Sequence, residues 1–179
     1  MRYADDFVIL CRKGQGNEIL RRTELWMTRN GLQLNAQKTR LVDFDTESFE
    51  FVGFRMSWRK SHKSGKHYVH KEASPKSCAK LRERIRQETA RRSYCEPVQD
   101  VIDRVNAIVR GWVGYFHHGN STRVFGKTQR YLRQRVRRWL WRRHGCTRGL
   151  YSPRRSDTQL HQHYGLIQLP LHASYNRNA

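Results

Sequence analysis

The sequence predicts an α+β chain: short antiparallel strands with one helix come first, and a basic three-helix bundle follows. Three observations predict it. Runs of β-forming residues broken by polar turns extend to about residue 74. Beyond that point apolar residues recur at three- and four-residue intervals. The charge shifts at the same place. Residues 1–74 hold 14 Lys and Arg against 9 Asp and Glu, a net +5, whereas residues 75–179 hold 22 against 6, a net +16. The expected divisions are 1–74, a helical domain over 75–145, and a tail over 146–179.

Taken in order, Tyr3 to Leu10 is rich in β-formers, although Asp5 and Asp6 interrupt any alternation. Asn17 to Asn30 reads as a helix with Ile19, Thr23, Trp26 and Met27 on one face, stopped by Asn30-Gly31. Short strands are expected over Thr39–Phe44 and Phe49–Met56. Ser57 to Gly65 is polar and basic, a loop or hairpin tip, with Lys66 to His70 as the return strand. From Pro75 the stripe Cys78, Leu81, Ile85 and Thr89 marks a helix. Pro97 suits the first position of the next one, which carries Val98, Val101, Ile102, Val105, Ile108, Val109 and Trp112. A third helix over Arg123–Arg143 is expected to bury Phe125, Leu132, Val136, Trp139 and Leu140, with arginines elsewhere. After Gly145 the only clear feature is the apolar Tyr164–Leu171 segment.

A chain of 179 residues can bury one real core, or a small core beside a helical unit. The formal net charge of +21 repels itself in the folded state, so a polyanion is the expected partner. Nucleic acid comes first, because each neutralised phosphate releases counterions. The longest apolar run, Phe7 to Cys11, is too short to span a bilayer, and acids stand where a signal peptide would be basic. No membrane association is expected, and the chain reads as cytoplasmic. Cys11, Cys78, Cys95 and Cys146 form no CxxC pair and read as reduced thiols. A zinc site would need pairs such as His67 with His70 or His161 with His163, unsupported by paired cysteines.

The sharpest local feature is Tyr3-Ala4-Asp5-Asp6 before Phe7-Val8-Ile9-Leu10. Two adjacent carboxylates serve one metal only at a tight turn, which presents their oxygens at a sheet edge as Mg²⁺ requires. The alternative is an acidic turn that merely keeps the segment soluble. Gly31-Leu32-Gln33-Leu34-Asn35-Ala36-Gln37-Lys38-Thr39 and then Phe51-Val52-Gly53-Phe54 follow in order. Together these resemble the late palm motifs of reverse transcriptases. Leu81 to Arg86, Asn106 to Phe116 and Tyr131 to Leu140 resemble the thumb-like maturase region of group II intron proteins. The resemblance is to a group II intron reverse transcriptase/maturase, and it covers nearly the whole chain. It implies a partial reverse-transcriptase palm followed by a thumb-like maturase bundle.

What the resemblance implies attaches to single positions. Asp5 and Asp6 would be catalytic ligands of Mg²⁺, with Tyr3 and Ala4 near the primer terminus. Lys38 would stabilise or protonate the departing pyrophosphate, where positive charge meets developing negative charge. Phe51, Val52, Gly53 and Phe54 match the primer-grip hairpin, although a buried strand with a bulge explains them equally. Intron RNA contact falls to Arg82, Arg84, Arg86, Arg133, Arg137 and Arg138, each of which could instead be a solvated helix residue. Trp112, Tyr115 and Phe116 could stack on bases, but core packing is the simpler role.

The chain starts just before the Tyr-Ala-Asp-Asp turn, where a complete reverse transcriptase has fingers and early palm. The expectation is a truncated reverse transcriptase/maturase that binds group II intron RNA and assists splicing, without RNA-directed DNA polymerase activity of its own. Two alternatives stand beside it. The chain could be the C-terminal half of a split, active nucleotidyltransferase that meets a DNA/RNA hybrid once its missing N-terminal half pairs with the exposed strand edge. Or it could be a generic basic nucleic-acid-binding protein, which leaves the motif order unexplained.

Overall fold

The structure, a computed structural model, describes residues 2–3, 6–143 and 156–170. Two compact units divide the chain, residues 1–70 and 71–179.

The first unit opens with β1 (Arg2–Tyr3) antiparallel to β2 (Asp6–Phe7), Arg2 opposite Phe7 and Tyr3 opposite Asp6. Helix α1 (Gly16–Arg29) follows. Its end is fixed by Gly31 at φ 69°: Leu32 N–H reaches Met27 O at 2.9 Å and Gly31 N–H reaches Thr28 O at 3.1 Å. This left-handed closure satisfies carbonyls that the helix leaves open. Ile19, Leu20, Thr23 and Met27 are half-buried, whereas Trp26 is 60% exposed. Leu20 thus takes the place in the packed stripe that helical spacing assigns to Trp26.

No strand forms over residues 39–44. Asp43 turns the chain instead: its Oδ1 accepts from Asp45 N–H at 3.1 Å, and its carbonyl accepts from Thr46 and Glu47 N–H. An aspartate that bonds the backbone two residues on favours a turn over an extended strand. Lys13 Nζ lies 3.2 Å from Asp43 and 3.8 Å from Asp45. The bond from Asp45 N–H, then Lys13, holds the Asp43 carboxyl below its ordinary range.

A sheet of order β3-β4-β5 comes next, with β3 (Ser48–Phe51), β4 (Phe54–Lys60) and β5 (His67–Ala73). Phe51 opposes Phe54 and Phe49 opposes Met56 across β3 and β4. Between them Val52 and Gly53 take φ 49° and 77°. Positive φ at both central residues matches the twist of a two-residue hairpin, but it is costly for a β-branched valine. β4 continues through Ser57–Lys60, so the tip shrinks to Ser61–Lys66, where Ser61 N–H meets Lys66 O at 2.8 Å. Phe44 packs on Phe49 and Trp58, with ring centroids 5.3 and 6.1 Å away. Phe54 is the only buried side chain described in residues 6–70.

The second unit contains the larger core. Helix α2 (Pro75–Glu88) begins where Ser74 Oγ accepts from Ser77 N–H at 3.2 Å, with Pro75 at the first helical position. A short 3₁₀ turn (Arg91–Cys95) leads to α3 (Val98–Phe116), for which Pro97 is the N-cap. Helices α4 (Thr122–Arg143) and α5 (Asp157–Gln162) complete the unit. Leu81, Ile85, Val101, Ile102, Val105, Val109, Phe125, Leu132, Val136, Trp139 and Leu140 are buried, as their helical spacing predicts. Each such side chain contributes about 1.5–3 kcal/mol on leaving water. Leu160, Leu166 and Leu169 are buried as well, so the segment after α4 belongs to this core.

Candidate nucleic-acid interface

Helix α4 carries nine Lys and Arg and no acid across its 22 residues. Those cations divide by what surrounds them. Arg135 Nε donates to Thr89 Oγ1 at 2.7 Å and its Nη2 to Thr89 O at 2.9 Å, closing the C-terminal end of α2. Arg143 donates to Ser93 O and Glu96 O. Both hold the bundle together. The 3₁₀ turn is pinned also by Trp139 Nε1, which donates to the buried Ser93 Oγ at 2.9 Å.

Arg123, Lys127, Arg130, Arg138 and Arg142 are different. All five are exposed, and among the described residues none makes an ion pair. At 100° per residue they fall within about 120° of arc, opposite the stripe of Phe125, Leu132 and Val136. The helix therefore presents a continuous basic ridge. Beside it, across the seam with α2, Tyr131 Oη donates to Arg82 O at 3.2 Å, and the Arg82 guanidinium lies 5.6 Å from the Tyr131 ring centroid. A guanidinium held on an aromatic face keeps its charge and loses less freedom when it meets a phosphate.

Of the other arginines expected to touch RNA, Arg84 and Arg86 are exposed on α2, Arg86 within 2.8 Å of Glu83. Arg133 and Arg137 converge on one carboxylate, Asp157 at the start of α5, with Arg137 Nη2 at 2.6 Å. Sequence reading did not anticipate this pairing, because Asp157 lies beyond the periodic segment. On the far side of α2, Arg104 bridges Glu88 at 2.8 Å and Glu96 at 2.5 Å, and both pairings, Glu88 first, raise its pKa. The Cys78 thiol is pushed up by burial, against the pull of Arg82 and Lys127.

Two amide side chains also went unread. Asn106, buried in the apolar stripe of α3, donates to Gly165 O at 2.8 Å and accepts from Ile167 N–H at 2.9 Å. Gln129 of α4 accepts from Leu169 N–H at 2.8 Å and reaches Ile167 O at 3.5 Å. Between them they act as a strand partner for residues 165–169. A polar residue within an otherwise apolar stripe was the available signal. Trp112 and Phe116 pack in the core, with rings 5.0 Å apart and Phe125 5.7 Å from Trp112, while Tyr115 is 48% exposed.

Ala4, Asp5 and Cys146 lie outside the described residues, as does the side chain of Tyr3. Asp6 is exposed in β2, and Lys38 is exposed in a turn whose N–H bonds Asn35 Oδ1 at 3.2 Å. No hydrogen bond or ion pair joins Asp6 to Lys38 among the described residues. Phe51 to Phe54 form the β3–β4 hairpin. No group of three His, Cys, Asp or Glu able to hold a metal occurs among the described residues. No described helix is long and apolar enough to cross a membrane.

Residues 78–156 match the sequence family described as group II intron, maturase-specific domain. No curated protein sequence matches the chain. The matched span takes in α2 from Cys78 onward, α3, α4 and the basic ridge.

Proposed function

Because this chain carries a group II intron maturase-specific domain, we propose that it binds structured group II intron RNA through the α4 ridge and the adjoining α2 seam, and that this binding assists splicing. The observation that carries the reading is the division of labour on α4. Arg135 and Arg143 hold the bundle, while Arg123, Lys127, Arg130, Arg138 and Arg142 stand exposed on one side. Five like charges on one rigid face repel one another, and a phosphate backbone relieves that repulsion while releasing counterions.

A-form RNA offers mainly phosphates and 2′-hydroxyls across a shallow groove, and a rigid row of guanidiniums suits such a surface. Arg82 and Tyr131 add a charged planar group at its margin. Asp5, Asp6 and Lys38 play no part in this contact.

The test is affinity of the whole chain for a structured group II intron RNA, measured across a salt series. Arg130→Glu with Arg138→Glu should weaken binding by more than about tenfold and flatten the log–log salt slope by roughly 2. Asp5→Ala should leave affinity within about twofold, since a carboxylate makes no phosphate contact. Unchanged binding by the double variant would remove the ridge from the interface. Primer extension on an RNA template with the same preparation reads polymerisation separately, and extension abolished by Asp5→Ala would favour the split-polymerase alternative.

A further inference from the structure

We infer that the β4–β5 hairpin of the first unit is a second nucleic-acid contact, built for a single-stranded segment of RNA. The sequence from Phe51 to Lys71 contains six Lys and Arg, three His and no acid. Among the described residues, Lys60, Lys63 and Lys66 form no ion pair, and all three are exposed around the tip. They rim a concavity of about 520 Å³ that His67 and Tyr68 also line. That volume lies within the range of about 300–1,000 Å³ usual for small-ligand sites, room enough for one nucleotide.

The second observation is a stacking surface beside those charges. Alternation along β4 places Trp58 and Lys60 on one face. Trp58 is 40% exposed, and its ring lies parallel to that of exposed His67, 7° between planes with centroids 5.9 Å apart. Phe44 supports Trp58 from within the unit at 6.1 Å. A tryptophan braced in this way, half open and flanked by lysines, is a platform for a base with its phosphates held nearby. The bases of a duplex are already stacked and cannot reach it, so the platform selects unpaired nucleotides. This contact is independent of the α4 ridge and lies outside residues 78–156.

The experiment uses the full chain, a labelled 12-nucleotide oligouridylate and a 12-base-pair RNA duplex as probes. Lys60→Gln, Lys63→Gln and Lys66→Gln combined should lower the salt slope for the oligouridylate by about 2, at roughly 0.7 per phosphate contact, and weaken its binding at least tenfold. Duplex binding should change by less than about threefold. Trp58→Phe, which keeps a ring, should retain most oligouridylate binding, whereas His67→Ala should lose part of it. An unchanged slope in the triple variant, or equal losses on both probes, overturns the inference. Arg130→Glu/Arg138→Glu is run alongside, and it reads the ridge on structured RNA without touching the hairpin.

Discussion

Gly119 shows how tightly one position can be fixed in this chain. A Cβ built there would sit 2.5 Å from Lys71 O, a backbone carbonyl that already accepts Asn120 N–H at 2.7 Å. Neither atom belongs to a flexible side chain, so the backbone itself would have to move. Gly119→Ala should therefore destabilise the second unit by about 1–3 kcal/mol in urea unfolding. Gly111, Gly114 and Gly126 face open space and serve as controls. An unchanged midpoint for Gly119→Ala would mean that the α3–α4 connection relaxes freely. Val52 is strained for the opposite reason: its side chain occupies a conformation that suits glycine.

The helices of the second unit were legible in the sequence because each buries a single apolar stripe. Cys78 to Thr89, Val98 to Trp112 and Phe125 to Leu140 all fall where spacing places them. The 39–44 segment departs from the expected strand because the turn chemistry of Asp43 outweighs the β-forming side chains around it. The segment after α4 was opaque because its partners are remote. Asn106 lies 59 and 61 positions from the backbone groups it satisfies. Of the candidate interface, the excess of arginine was visible. Which arginines face outward and which cap α2 or the 3₁₀ turn was not, since that depends on neighbours from other helices. Asn106→Ala would leave the Gly165 carbonyl and the Ile167 N–H, both only partly shielded from water, without their partner, so we expect a loss of about 1–2 kcal/mol and a Tm lower by roughly 5–10 °C. Protease sensitivity should rise first within residues 156–170. A Tm within 2 °C of the parent (about 0.4 kcal/mol) would show that Leu160, Leu166 and Leu169 hold the segment by themselves.

Across the molecule, charge and packing oppose each other, and Asp157 is where they meet. It is one of six acids against 22 Lys and Arg in residues 75–179, and it engages both Arg133 and Arg137. All three side chains are partly exposed, so the pairing contributes at most about 1 kcal/mol. Asp157→Asn should cost little stability and tighten intron RNA binding by about threefold, because it removes a negative charge that competes with phosphate for the Arg133 guanidinium. Weaker binding by this variant would mean that the pairing orders the interface. The clamp of residues 165–169 by Asn106 and Gln129 has a further consequence, for the order in which the unit matures on the ribosome. Helix α4 ends at Arg143, yet the core closes only with Leu169. At about 5–20 residues per second, translation leaves those helices without their last partner for roughly 1–5 s. Until that segment arrives, the side of the core that Leu160, Leu166 and Leu169 cover stays open to water.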